Sequence, residues 1–100
     1  MGPLQCAYVD DYTEHEKNQI RAVGRQIAAE RTKVEMSQEA LAERAGISRK
    51  SLSRYEQGER DATLGTLVSI ADALGMPLTQ LLLAAEARPG QDTRPGAGQS

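Results

Sequence analysis

Residues 38–57 read QEALAERAGISRKSLSRYEQ, from Gln38 to Gln57. The stretch divides at Gly46 into two short segments, each with its small and apolar residues at helical spacing. Ser37 precedes the first and Ser48 the second, and a serine at that position accepts one of the unpaired N–H groups of a helix start. The first segment, Gln38–Ala45, turns Leu41, Ala42 and Ala45 to one side, and Gly46 suits the left-handed residue that ends such a helix. The second runs from Arg49 to about Gln57, where Gly58 stops it. Leu52 and Tyr55, three apart, face the same interior as Ile47. Two helices joined by so tight a turn cross steeply and touch over a small area, and Ala42 supplies the small residue there.

Helical signals continue outward in both directions. Thr13 and Glu16 have the spacing of a capping box, in which each side chain bonds the other residue's N–H. Glu14 and Glu16 also lie where the helix dipole favours negative charge. A first helix is therefore predicted from about Thr13 to Thr32, with Ile20, Val23, Ile27 and Val34 marking its buried stripe. After the central pair, Thr63 caps a fourth helix in which Leu64, Leu67, Ile70, Ala71 and Leu74 recur before Gly75. Pro77 fits the start of a fifth, from about Leu78 to Ala87. Leu78, Leu81 and Leu82 form its inner stripe; Leu83 is rotated away from them, either a plain exposed leucine or a contact to a second copy.

Composition agrees with this all-α reading. The chain has 100 residues, room for one domain with a modest core, and contains no Trp or Phe. Alternating β-branched or aromatic runs are missing. The expected organisation is a flexible segment over residues 1–12, one domain over 13–87 and a disordered tail over 88–100. That tail, RPGQDTRPGAGQS, has one alanine among apolar types and cannot repay its ordering entropy.

Several function classes find no support. Cys6 and His15 are each alone, so neither an internal disulfide nor a conventional zinc site is expected. No nucleophile–base pair, metal cluster or phosphate loop marks an enzyme, and no cofactor is expected. The longest apolar run, Leu81–Ala85, is far too short to span a bilayer, and no signal peptide is recognisable. The expected setting is cytoplasmic.

Charge distribution supplies the positive argument. The formal net charge is −2, but the acid is concentrated at the start, with Asp10, Asp11, Glu14 and Glu16 in the first sixteen residues. From Lys17 to Arg60, ten basic residues face six acidic ones, a local charge of +4. No acidic residue falls between Ala45 and Tyr55. With Leu52 and Tyr55 inward, Arg49, Lys50, Ser53 and Arg54 are left outward on the third helix. Arg offers paired hydrogen bonds to guanine O6 and N7, and Lys reaches the same acceptors, so this helix suits the major groove of double-stranded DNA. A solvated basic face is the alternative for such a cluster, and Arg54 could instead bond a neighbouring acid.

The small residue, glycine and apolar positions of 38–57, followed by an apolar fourth helix ending in ALG, resemble the lambda-repressor/Cro (XRE) helix-turn-helix family. The resemblance covers about Ile20 to Leu82 and implies a compact five-helix DNA-binding domain, found in bacterial and phage-encoded regulators. It implies base reading by Arg49, Lys50 and Arg54 from the recognition helix 49–57. Ser48, Ser51, Ser53 and Arg60 would serve DNA phosphates, and Gln38 would touch a phosphate or brace a recognition side chain. Arg31 and Glu56 match a pair that forms a salt bridge in similar proteins. The chain departs from the family pattern at Ala62, where proline is common, and at Pro77, where a Ser or Thr cap is usual.

The resulting expectation is a sequence-specific transcriptional regulator acting as a homodimer on a pseudo-palindromic operator, with Leu83 a possible dimer contact. The competing expectation is an interaction module or antitoxin that binds a protein partner through the same fold. The acidic N-terminal segment with Tyr8, Val9 and Tyr12 is the feature that suggests it.

Overall fold

Four of the five helix starts are fixed by a side chain within three residues of the groups it satisfies. In the computed structural model, which describes residues 11–87, Thr13 Oγ1 accepts from Glu16 N–H at 3.1 Å while Glu16 Oε1 accepts from Thr13 N–H at 2.9 Å. This capping box opens α1, Glu14–Lys33. Ser37 opens α2, Gln38–Ala45, and Ser48 opens α3, Arg49–Glu56, each accepting at 3.0 Å from the N–H three residues on. Thr63 caps α4, Leu64–Leu74, and Pro77 leads into α5, Leu78–Ala87. No β-strand accompanies these five helices among the described residues. The expected flexible start up to residue 10 and the expected tail from 88 lie outside the described residues.

Helix ends repeat one device. Gly46 has φ +75°, Ile47 N–H bonds Ala42 C=O at 3.0 Å, and Gly46 N–H bonds Glu43 C=O at 3.2 Å. This is the paired-bond stop with a left-handed residue after the last turn. It turns the chain sharply enough to lay α3 across α2. The end of α1 uses the same pair of bonds, from Met36 to Arg31 and from Glu35 to Thr32, but the left-handed residue is Glu35 at φ +58°.

The core gathers one face of every helix: Ile27 from α1, Leu41 and Ala42 from α2, Leu52 and Tyr55 from α3, Ile70 and Ala71 from α4, and Leu81 from α5. One expected buried position is corrected. Val34 is 51% exposed, because α1 ends at Lys33 and Val34 already belongs to the turn, where Met36 packs inward instead. Leu64 is 66% exposed as the first residue of α4, so burial begins at Leu67.

One contact was not anticipated. Gly24 of α1 is buried against the C-terminal end of α3, and a Cβ there would collide with the Tyr55 carbonyl oxygen and lie 2.9 Å from that of Glu56. α1 thus supports α3 backbone to backbone, with no side chain between them.

Candidate nucleic-acid interface

Leu52 and Tyr55 are buried, so the orientation of α3 about its own axis is set by the core. The opposite face carries Arg49 and Lys50, both exposed, at the N-terminal end, with Ser53 and Arg54 half-buried one turn on. No acidic residue lies in the first turn of α3. The positive end of the helix dipole and two long cations therefore coincide.

Ser48 is occupied locally: its oxygen caps the helix, and its hydroxyl donates to Ser51 Oγ at 3.0 Å. Gln57, exposed at the far end of α3, donates from Nε2 to Ser53 Oγ at 3.0 Å. It follows Arg49 and Ser53 at intervals of four, on one helical stripe, and that interval was available in the sequence.

Beneath this surface lies a polar group that links three helices. Glu56, with a side chain only 5% exposed, receives Arg31 through both oxygens: Nε to Oε2 at 2.8 Å and Nη2 to Oε1 at 3.1 Å. Arg31 also donates from Nη1 to the Met36 carbonyl at 2.9 Å. Gln38 donates from Nε2 to Glu56 Oε1 at 2.9 Å, and its Oε1 faces Arg49 Nη1 at 3.4 Å. The fork-to-fork geometry is the arrangement in which an Arg–carboxylate pair is strongest.

Arg60 and Leu83 lie outside α3. Arg60 is half-buried and lines a cavity of about 120 Å³ with Ile20, Val23, Tyr55 and Leu67. Leu83, on α5, is 65% exposed. Tyr12 also lies outside the interface; its hydroxyl donates to Asp61 Oδ2 at 2.9 Å. That hydrogen bond, followed by desolvation and the charge of Asp61, holds the phenol above its usual value.

Among the described residues, no group of three or more His, Cys, Asp or Glu is placed to hold a metal. No single helix among them is long and apolar enough to cross a membrane.

Comparison with known proteins places this geometry in a family. A helix-turn-helix family model matches residues 27–81, which begin inside α1 and end inside α5. An uncharacterized transcriptional regulator in the ATPase CF(0) region of Rhodospirillum rubrum is 36% identical over 56 residues, 56% of this chain and 52% of that protein. The chain spans about half or less of the curated relatives it matches. Among solved structures, the restriction-modification controller protein C.AhdI from Aeromonas hydrophila is 29% identical with a TM-score of 0.61, covering 62% of this chain and 94% of that one. The clp gene regulator ClgR from Corynebacterium glutamicum is 26% identical with a TM-score of 0.66, covering 68% and 72%. The matched region contains the crossed pair α2 and α3 together with the helices that support it, and the chain belongs to the lambda-repressor/Cro-like (XRE) helix-turn-helix family of DNA-binding proteins.

Proposed function

We propose that the chain is a sequence-specific transcriptional regulator that lays α3 in the major groove of double-stranded DNA. The observation that carries this reading is the exposure of Arg49 and Lys50 on the first turn of a helix whose other face is locked into the core. Both are long enough to reach base edges, and a helix held by packing gives them a fixed origin. Arg54, half-buried one turn on, would extend the reading along the groove. Ser51 and Ser53 would meet phosphates beside it, while Ser48 would help indirectly by capping the helix. Arg60 would reach a phosphate only by leaving its place beside Tyr55 and Leu67. Residues 13–87 would form the whole binding unit. Relatives named as a transcriptional regulator, a restriction-modification controller and a gene regulator support the regulatory reading.

A domain this small contacts few phosphates, so a single copy binds weakly at physiological salt. Pairing two copies would set two α3 helices about 34 Å apart on an inverted repeat. Leu83 is the apolar residue on α5 left available for such a contact.

The test is selection of bound sequences from a random DNA pool at near-physiological salt. The expected result is an enriched inverted repeat with half-sites about one helical turn apart. A pool that stays random after repeated rounds would overturn the reading, and enrichment of a single asymmetric half-site would overturn the dimer alone.

A further inference from the structure

We infer that Glu56 is a positioning residue for Arg49, acting through the Gln38 amide, so that the internal ion pair with Arg31 takes part in base recognition. The proposal rests on the reading of Arg49 as a base-reading residue.

An ionised carboxylate only accepts hydrogen bonds, and a guanidinium only donates them. Gln38 lies between one of each: Glu56 Oε1 is 2.9 Å from its Nε2, and Arg49 Nη1 is 3.4 Å from its Oε1. Both neighbours therefore select the same orientation of the amide. Turned over, it would set its oxygen against the carboxylate and its N–H groups against the guanidinium. The amide's orientation follows from its partners' chemistry, which is the ground on which such assignments are made.

A charged side chain serves this bridge badly. A carboxylate at position 38 would face Glu56 charge to charge. A cation there would satisfy Glu56 and repel Arg49. Asparagine is one methylene shorter. The link also spans the recognition helix itself, because Arg49 opens α3 and Glu56 closes it, about 10 Å apart by rise per residue. The first residue of α2 thus ties the two ends of α3 together.

What is transmitted is direction. Arg31 holds Glu56 by two bonds and is itself held by the Met36 carbonyl, so the carboxylate has little freedom. The carboxylate fixes Gln38, and Gln38 holds the Nη1 corner of an otherwise exposed arginine. The Nε–Nη2 edge is then turned toward the groove, where a paired contact to guanine depends on angle as well as reach. A side chain ordered before binding also loses less freedom on binding.

The experiment uses the full chain and the DNA site recovered by selection, scoring the preference at each base pair for Arg49→Ala, Gln38→Met and Glu56→Gln. Arg49→Ala locates the base pair that Arg49 reads. At that pair alone, Gln38→Met and Glu56→Gln are expected to relax discrimination by roughly three- to tenfold, the scale of one coupled contact. Their combination is expected to be no worse than Gln38→Met, since both act along one path.

Arg49→Ala with unchanged base preferences would sink the base-reading assignment itself. Arg49→Ala with an altered preference at one pair, while Gln38→Met leaves that pair unaffected, would overturn the relay. So would a Glu56→Gln variant that weakens binding equally on every sequence. Should Glu56→Gln fail to fold, Gln38→Met and the side-chain NH₂ resonances of Gln38 in the unaltered protein decide the matter. Resonances displaced from the free-glutamine positions and slow to exchange with solvent support the fixed amide, and free-glutamine shifts with fast solvent exchange overturn it.

Discussion

Gly24 packs its bare backbone against the Tyr55 carbonyl, and a Cβ at that position has nowhere to go. The obstacle is the backbone of α3, so relief requires one helix to move off the other. Gly24→Ala should destabilise the fold by about 1–3 kcal/mol through overpacking, although alanine is the better helix former by about 1 kcal/mol. Gly65 of α4 is the control, since a Cβ there meets nothing within 4 Å. Gly65→Ala should therefore raise the urea midpoint while Gly24→Ala lowers it. Two shifts of the same sign would contradict the close approach.

Arg31 and Glu56 set a second expectation. Removing Arg31 leaves a carboxylate that is only 5% exposed and takes the donor from the Met36 carbonyl. Stranding one partner of a buried pair costs about 3–5 kcal/mol, and Arg31→Ala belongs near the lower end because that side chain is 18% exposed. Lys33→Ala removes the pair to Glu30 from a largely exposed lysine, and should cost under about 0.5 kcal/mol. Thermal unfolding of the two variants separates the cases; equal losses would show that the pair at Glu56 is no more than a surface contact.

The uneven legibility of the fold follows from the range of the interactions. Thr13, Ser37, Ser48 and Thr63 are readable as caps because each acts on an N–H three residues away. Leu52 and Tyr55 are readable as inward, and Arg49 and Lys50 as outward, because a helix turns its residues at a fixed angle. Val34 departs from expectation because it lies in the turn after Lys33, where the helical period no longer says which way a side chain faces. Gly24 and the double attachment of Gln38 depend on which helices meet, and sequence spacing is silent on that. A glycine inside a strong helical pattern is nevertheless a local sign of close packing.

Glu35 occupies the left-handed position that Gly46 and Gly75 occupy at two other helix ends. A side chain there costs about 1–2 kcal/mol in backbone sterics. Glu35→Gly relieves this strain but adds freedom to the unfolded chain, worth about 0.4–1 kcal/mol in the opposite direction. The net expectation is a gain between zero and about 1.6 kcal/mol in denaturant titration. A clear loss would mean that the Glu35 side chain stabilises the turn by more than its strain.

Tyr12 should make stability depend on pH at the alkaline end. Its phenol is held above its usual value chiefly by the hydrogen bond to Asp61, so its folded-state pKa exceeds the unfolded one. Such a group contributes stability that is fully present below the unfolded value of about 10 and is lost as pH rises through the folded value. Tyr12→Phe should therefore be less stable than the unaltered protein at neutral pH, and the difference should close above about pH 10. Urea midpoints of both proteins across that range provide the check. A difference that stays constant past full deprotonation would remove Asp61 as the cause.

Leu83 tests the assembly rather than the fold. At 65% exposed it adds little to the core of this copy, so Leu83→Asp should leave the melting temperature nearly unchanged. If two copies meet across α5, each places an apolar residue in the other's shadow, and a carboxylate there meets its own symmetry mate. Sedimentation should then show a dimer for the unaltered protein and a monomer for the variant. On an inverted-repeat site, binding should weaken by roughly a hundredfold or more, because the second half-site loses the benefit of linkage. On a single half-site the two proteins should bind alike, since α3 is untouched. Identical sedimentation of the two proteins would place the contact elsewhere or leave the chain a monomer.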